Sequence, residues 1–157
     1  MGSRKAYFKE DPINPAPLVT GIDRRVRFEE VDALGMVWHG RYPSYLEDGR
    51  IAFGDRYGLA YLSFMQNQVM APIVQMHLDY KSPLRFDQII RIETSLHWNE
   101  ALRLDFSYTI KDQKGTVAAT AYTVQVLTDI SGTILFISPD WILEFREKWR
   151  SGHWHAL

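Results

Sequence analysis

The stretch DALGMVWH, residues Asp32–His39, lies between a strand-like segment and a helix-like segment. It places one carboxylate, that of Asp32, before a glycine turn at Gly35 and immediately ahead of a predicted helix N-terminus. The first turn of a helix leaves backbone N–H groups free, and these can bind a developing negative charge. A carboxylate beside such a site indicates chemistry on acyl groups.

The residues after this stretch predict an amphipathic helix that ends near Gly58. Apolar and small side chains recur at spacings of three and four residues, and Pro43 is compatible with a first helical turn. The residues of this face are Tyr42, Tyr45, Leu46, Gly49, Ala52, Phe53 and Tyr57. A glycine inside a helix costs about 1 kcal/mol relative to alanine, so Gly49 and Gly54 predict close packing against another backbone.

Alternation with a period of two residues predicts the strands. They are Thr20–Glu30, Ile73–Lys81, Ile89–Trp98, Leu102–Lys111 and Thr116–Leu127, with a sixth short strand over Thr133–Ile137. Short turns between the last three long strands are typical of antiparallel hairpins. The segment Tyr61–Met70 has no clear period, so we expect a loop or short helix whose Phe64, Met65 and Met70 either line a cavity or cover the central helix.

The chain ends with the signature of a further helix, in which Ser138, Pro139 and Asp140 form the start. The order strand, helix, strands, helix predicts an α+β fold, an antiparallel β-sheet against one principal α-helix plus a C-terminal helix. The length of 157 residues fits one domain. We expect an extended N-terminal arm over residues 1–19, which contain three prolines, and a single domain over residues 20–157.

The composition excludes several classes of function. Lys and Arg number 18 against 19 for Asp and Glu, so there is no basic excess for binding nucleic acid. The absence of cysteine excludes disulfides, thiolate metal sites and a cysteine nucleophile. We find no apolar segment of the length of a signal peptide in the first twenty residues, and none elsewhere that could span a membrane, so we expect a cytoplasmic protein with no membrane span.

The order of residues in Asp32–His39 resembles the acidic motif of the 4-hydroxybenzoyl-CoA thioesterase branch of the hot-dog superfamily. In that motif, Asp-x-x-Gly-(Ile/Val/Met)-Val-aromatic-(His/Tyr/Asn) leads into the central helix. The resemblance continues through Tyr80–Asp87, which looks like the family's link between its second and third strands, and covers roughly Gly21 to Glu144. It implies a hot-dog fold, in which the sheet wraps around the central helix, and hydrolysis of acyl-CoA thioesters without a cofactor. It also implies a homodimer, often assembled as a dimer of dimers, a homotetramer.

Asp32 is the candidate that carries the chemistry. It could attack the thioester as a nucleophile, or act as a general base on a water molecule, and the sequence does not separate these roles. From its local setting alone, the commoner interpretation is a turn or helix-capping residue. The full motif favours the catalytic role.

The remaining site candidates surround this carboxylate. The backbone N–H of His39 would start the helix and bind the thioester oxygen, a role that the resemblance also implies, whereas we discount its imidazole as an acid or base. Glu47 could be a second catalytic carboxylate, or simply form an ion pair with Arg50 three residues later. Gly35, which lets the backbone approach a ligand, is assigned to substrate binding together with Val37 and Trp38.

Other polar residues give weaker signals. His77, His97, His153 and His155 lack the spacing of metal ligands, so we expect exposed histidines and no metal. Lys81, Arg85 and Arg91 could contact the phosphates of coenzyme A, although scattered surface bases are the commoner explanation.

Two other functions compete with hydrolysis. Some hot-dog proteins hydrate enoyl thioesters with an Asp and a His, but their motif places these two residues closer together. A non-catalytic acyl-binding module would retain the cavity without the chemistry. The intact motif favours the hydrolase.

Overall fold

The computed structural model describes residues 6–154. The helices are α1 (Tyr42–Tyr57), α2 (Tyr61–Gln66) and α3 (Asp140–Arg150), with short 3₁₀ helices at Phe28–Glu30 and His39–Arg41. The strands are β1 (Leu18–Arg25), β2 (Val69–Met70), β3 (Ile73–Tyr80), β4 (Ile89–His97), β5 (Arg103–Lys111), β6 (Val117–Val126) and β7 (Thr128–Asp129). His155 lies outside the described residues, as do the first five residues of the N-terminal arm.

Five strands form one antiparallel sheet in the order β1-β4-β5-β6-β3, and β2 pairs with β7 in a small ribbon. The long helix α1 packs on one face of the sheet, against β1 and β4. This arrangement confirms the predicted α+β class and the hot-dog fold. It also confirms the terminal helix, which buries Ile142, Phe145 and Trp149.

The two glycines of α1 are sites of close packing. A Cβ on Gly54 would lie 2.5 Å from the carbonyl oxygen of Leu59, which confirms the predicted approach of another backbone. A Cβ on Gly49 would lie 2.3 Å from the hydroxyl oxygen of Thr94, so at this position the close neighbour is a side chain of the sheet. The helix ends at Gly58 in a left-handed conformation, as its sequence predicts.

The first strand differs from the prediction at both ends, since it begins at Leu18 and stops at Arg25. Residues 28–30 form a 3₁₀ turn because Glu30 is drawn inward. Its carboxylate accepts hydrogen bonds from the Arg27 N–H at 2.9 Å and the Tyr45 hydroxyl at 2.8 Å, and also binds Arg24. A glutamate that the sequence predicts as the last residue of a strand is therefore buried in a 3₁₀ turn.

The sixth strand predicted over Thr133–Ile137 is wrong. Only Ile134 forms an isolated bridge, to Thr128, while Phe136 and Ile137 are exposed. Among residues 6–154, the segment pairs only through this bridge, which lies beside the two-residue strand β7. The segment Tyr61–Met70, expected to be a loop or short helix, contains α2 and then β2.

The N-terminal arm lies over the outer face of the sheet. The Tyr7 hydroxyl donates to Asp79, and the Phe8 ring packs 5.1 Å from the His97 ring. The indole N–H of Trp149 donates to the Ala16 carbonyl at 2.8 Å. Because this arm covers it, His97 is mostly buried and its predicted exposure is wrong, and burial lowers its pKa. His77 and His153 are exposed, as predicted.

Candidate active site

The loop that contains Asp32 is a tight turn fixed by backbone hydrogen bonds. The N–H of Asp32 donates to the Met36 carbonyl at 2.8 Å, and the N–H of Gly35 donates to the Asp32 carbonyl at 3.0 Å. Gly35 has a φ of 75°, a left-handed conformation that glycine adopts easily. A Cβ at this position would meet open space, so the strain of a substitution would be in the backbone.

The Asp32 side chain caps this turn and still faces solvent. Its Oδ1 accepts hydrogen bonds from the N–H groups of Leu34 at 2.8 Å and Met36 at 3.2 Å. The turn-capping interpretation of the residue is therefore correct as a description of its local bonding. Within residues 6–154, no donor approaches the second oxygen, Oδ2, which leaves it open to a reactant or a water molecule.

The loop is joined to the segment between β3 and β4. The N–H of Val37 donates to the Leu84 carbonyl at 2.8 Å, and the N–H of Phe86 donates to the Gly35 carbonyl at 3.1 Å. A bridge also links Met36 with Arg85. The two segments that carry the resemblance, 32–39 and 80–87, are thus neighbours in the fold.

The start of the central helix lies directly after this turn. Trp38 has an extended backbone and begins the 3₁₀ helix His39–Arg41, which runs into α1. The Arg41 N–H donates to the Trp38 carbonyl at 2.9 Å, and the Tyr80 hydroxyl donates to the His39 carbonyl at 2.8 Å. In the described part of the chain, the N–H groups of His39 and Gly40 have no acceptor. They lie at the positive end of the helix dipole.

A buried ionic cluster supports the turn from behind. Glu30, which is only 3% exposed, binds Arg24, and Arg24 also binds Asp48 on α1. The carbonyl of Glu30 accepts the Trp38 N–H at 2.9 Å. The cluster therefore ties the turn to both β1 and α1. The sequence did not predict this cluster, because Glu30 was placed at the end of the first predicted strand.

The predicted site residues fall into two groups. Asp32, Gly35 and His39 share the turn and helix start, with Trp38 half-exposed and Val37 buried beneath them. Glu47 lies further along α1, is exposed, and lines a cavity that none of these five residues touches.

That cavity is an apolar groove of about 1000 Å³ along the second half of α1. Its walls include Ile51 and Phe53 of α1, Phe64 and Met65 of α2, and Phe106 of β5. Met70 also lines it, which favours the cavity-lining alternative for the segment 61–70.

Arg50 is a positively charged residue that lines this groove. It forms no ion pair with Glu47 in the described structure, so the ion-pair interpretation of the two residues is wrong. Arg50 instead reaches the sheet and donates to the Tyr108 hydroxyl at 3.1 Å, which in turn lies 2.8 Å from the Thr123 hydroxyl. Burial raises the pKa of Tyr108 and keeps this phenol neutral.

The three basic residues considered for the phosphates of coenzyme A have different surroundings. Arg91 binds Asp23 at 3.2 Å, whereas Lys81 and Arg85 are exposed beside the segment that supports the Asp32 turn. In residues 6–154 no cluster of three or more His, Asp or Glu side chains is placed to hold a metal ion. Nor does this part of the chain contain a helix long and apolar enough to cross a membrane.

Comparison with solved structures agrees with this architecture. The fold matches that of the DHNA-CoA thioesterase from Staphylococcus aureus with a TM-score of 0.76 and 20% identity, over 88% of this chain and 95% of that chain. A hypothetical protein from Aquifex aeolicus matches with a TM-score of 0.73 and 28% identity, over 80% of this chain and 98% of that one.

Sequence comparison extends the likeness to the motif region. The chain is 26% identical to the acyl-CoA thioester hydrolase YbgC of Escherichia coli over 105 residues, which are 67% of this chain and 78% of that protein. The family model of the thioesterase-like superfamily matches residues 26–145, from just after β1 into α3. This span includes the Asp32 turn, the helix start and the whole of α1, and the chain belongs to the thioesterase-like superfamily.

Proposed function

We propose that this protein hydrolyses acyl-CoA thioesters to a free acid and coenzyme A. The observation that carries the proposal is the pairing of two groups on one short stretch: an exposed carboxylate with an open oxygen, and unpaired N–H groups at a helix start. The first can attack or activate water, and the second can stabilise the oxygen of the thioester as charge develops there. Membership of the superfamily and the named activity of YbgC support the same reaction.

In this mechanism Asp32 has one of two roles. As a nucleophile, its open oxygen bonds to the carbonyl carbon, the C–S bond breaks, and the CoA thiolate leaves. Water then cleaves the resulting mixed anhydride and restores the carboxylate. As a general base, Asp32 takes a proton from a water molecule that attacks the same carbon directly.

The His39 N–H serves the reaction in either case, because both routes place negative charge on the carbonyl oxygen. Loss of one such donor typically costs on the order of 3 kcal/mol of transition-state stabilisation. The helix dipole and the fixed backbone of the 3₁₀ turn favour this position for the donor. Gly35 and Trp38 then border the bound thioester, and Val37 fixes the loop from below.

The groove along α1 is the proposed site for the acyl group. Its walls are mainly apolar, and the exposed Glu47 of α1 lines it. We assign Glu47 the role of a second carboxylate that orders the attacking water. The length of the acyl group would be set by α2, whose Phe64 and Met65 face this cavity.

We further propose that the site is completed by a second copy of the chain. The outermost strand β3 has six of its eight residues exposed, among them Ile73, Val74 and Met76. An apolar strand edge of this kind is a template for pairing with another strand, and two-fold pairing of identical edges gives a homodimer. A dimer of dimers would be the next level of assembly, and light scattering on the purified protein measures both.

The experiment that tests the function is an assay of thiol release from a panel of short, long and aromatic acyl-CoAs, together with an enoyl-CoA. A hydrolase releases thiol from at least one member, and the Asp32→Asn variant does not. An enoyl-thioester hydratase would change the enoyl absorbance without releasing thiol. An acyl-binding module would bind the panel and change neither signal, and either of these two results would reject the proposal.

A further inference from the structure

We infer that the oxyanion site contains two amides rather than one, the N–H groups of His39 and Gly40, and that Tyr80 is the positioning residue for the second. This inference rests on the proposed function, because it concerns the same reaction at the same helix start. It adds a residue from β3, far along the chain, to a site otherwise built from one short stretch.

The first step is the bonding of two consecutive peptide groups. The peptide between Trp38 and His39 has its carbonyl bound by the Arg41 N–H at 2.9 Å. The peptide between His39 and Gly40 has its carbonyl bound by the Tyr80 hydroxyl at 2.8 Å. In the described residues, neither peptide has an acceptor for its N–H group. Two adjacent amides are thus held at one end and open at the other.

The second step is the planarity of the peptide group. A trans peptide fixes its N–H in the same plane as its carbonyl and pointing the opposite way. A hydrogen bond to the His39 carbonyl therefore also fixes the direction of the Gly40 N–H. The bond also polarises the amide, and cooperative strengthening along such a chain is estimated at roughly 10–30% per bond. Tyr80 both aims and strengthens the Gly40 donor.

The surroundings of Gly40 suit a contact with a ligand. A Cβ at this position would lie 2.3 Å from the Trp38 indole, so the lack of a side chain lets that ring lie against the glycine. Gly40 itself is exposed. The open N–H therefore borders the half-exposed Trp38 ring, at which an acyl-CoA would arrive in the proposed function.

The ring and the hydroxyl of Tyr80 make separate contacts, so a substitution can delete the hydroxyl bond and keep the ring contact. Its ring packs edge-to-face against the ring of Tyr42, with 4.8 Å between centroids, at the first turn of α1. Desolvation raises the pKa of Tyr80, so the hydroxyl stays protonated and donates at neutral pH. A Tyr80→Phe substitution keeps the ring contact and deletes only the hydrogen bond.

The test is steady-state kinetics of Tyr80→Phe on the acyl-CoA that the wild-type protein cleaves best. We expect kcat to fall about tenfold, less than the hundredfold or more that loss of a whole oxyanion donor costs. We also expect KM to stay within about twofold, because the bond acts on the transition state. The matched control is Tyr122→Phe, whose hydroxyl bonds Gln75 away from the helix start and whose loss should leave kcat unchanged.

A second measurement remains valid if the variant loses stability. Labelling with [15N]glycine gives signals from only ten glycines, among which the Gly40 amide can be assigned. Compared with the wild-type spectrum, that of Tyr80→Phe should show a shifted Gly40 proton signal, because the bond to the His39 carbonyl is lost, and an unshifted Gly35 signal. An unchanged Gly40 signal would overturn the inference, and so would a raised KM with an unaltered kcat.

Different results would reject the proposed hydrolysis and the role of Tyr80. If wild-type protein releases no thiol from any acyl-CoA, the proposed hydrolysis is wrong. If wild type is active and Asp32→Asn is not, but Tyr80→Phe matches wild type in kcat, then only the role of Tyr80 is rejected.

Discussion

Two turns of this molecule have the same bonding and different surroundings. In the turn at 112–115, the Asp112 N–H donates to the Thr116 carbonyl at 2.9 Å and the Gly115 N–H donates to the Asp112 carbonyl at 2.9 Å. The Asp112 carboxylate accepts the N–H groups two and four residues later, both at 2.9 Å. The turn at 32–35 has the same four hydrogen bonds, and both glycines have positive φ, 75° at Gly35 and 83° at Gly115.

The comparison shows that Asp-x-x-Gly is, by itself, a signal for a turn. The turn at 112–115 joins β5 to β6 in a hairpin. The turn at 32–35 instead leads within a few residues to a helix start with two open N–H groups. In our proposal the chemistry comes from this neighbour, so equivalent substitutions in the two turns should have similar structural effects and different catalytic ones.

The largest effect is expected for Asp32→Asn. The amide oxygen of asparagine can accept the same two N–H bonds, so the turn should persist while the charge is lost. Turnover should fall by at least about a hundredfold, because neither a nucleophile nor a general base remains. Thiol release under saturating acyl-CoA, with circular dichroism as a check on folding, measures this.

The control for this variant is Asp112→Asn, which makes the same chemical change in the same kind of turn. We expect it to retain full turnover. If Asp32→Asn kept activity within a few-fold of wild type, the two turns would be equivalent and Asp32 would be only a cap.

The second prediction concerns the glycines of the two turns. A β-branched residue is strained at positive φ, so Gly35→Val and Gly115→Val should each destabilise the protein by about 1–2 kcal/mol. Only Gly35→Val should also lower turnover, by about tenfold, since the backbone there is proposed to approach the substrate. Thermal unfolding and kcat, measured on both variants, separate the two effects.

Equal behaviour of the two valine variants would argue against a role for Gly35 beyond the turn. In that case turnover per folded molecule would be the same as in the wild type for both proteins. The comparison needs activity corrected for the folded fraction, which the unfolding curves provide.

The parts of the site that could be predicted from the sequence are the local ones. The Asp32 turn, the helix start and the extent of α1 depend on residues close together in the chain, where the spacing of Asp, Gly and Pro has a direct structural meaning. The α+β class followed from strand alternation for the same reason, whereas the hot-dog fold was implied by the family resemblance of residues 32–39 and 80–87. The error at Thr133–Ile137 arose because a strand also needs a partner, which the segment itself does not specify.

The long-range parts could not be predicted. Tyr80 meets the His39 carbonyl across 41 residues of sequence, and nothing in the local pattern of β3 marks that contact. Glu30 was missed because burial with Arg24 and Tyr45 depends on the packing of β1 against α1. His97 is covered by Phe8, which no periodicity could indicate.

A third and smaller effect is expected at Glu47. This carboxylate lies on α1 and lines the groove that is the proposed acyl site. If it orders the attacking water, Glu47→Gln should lower kcat by roughly fivefold, well below the effect of losing a general base outright. The control is Glu144→Gln, a change of an exposed glutamate on α3, and equal kcat values for both variants would remove Glu47 from the site.

The smallest effect, a change in stability with pH, is expected in a third turn of the same kind, at 129–132. Its carboxylate, Asp129, accepts N–H groups at Ser131 and Thr133 and also the Ser131 hydroxyl at 2.6 Å, which has no equivalent at Leu34 or Lys114. These bonds, the hydroxyl first, hold the pKa of Asp129 below its ordinary value. Because the pKa of Asp129 is lower in the folded state, its ionised carboxylate stabilises the protein at pH values above its unfolded pKa of about 3.9. This stabilisation is lost as the pH falls through the folded-state pKa.

Ser131→Ala should therefore lower the unfolding temperature slightly near pH 6, and the difference from wild type should shrink as the pH falls below about 3.9. The reason is that Asp129 is then protonated in both proteins, so the Ser131 hydroxyl no longer stabilises an ionised carboxylate in the folded state. Thermal unfolding followed from about pH 2.5 to 7 measures the trend. A difference that stays constant over this range would mean that Ser131 stabilises the turn without acting on the charge of Asp129.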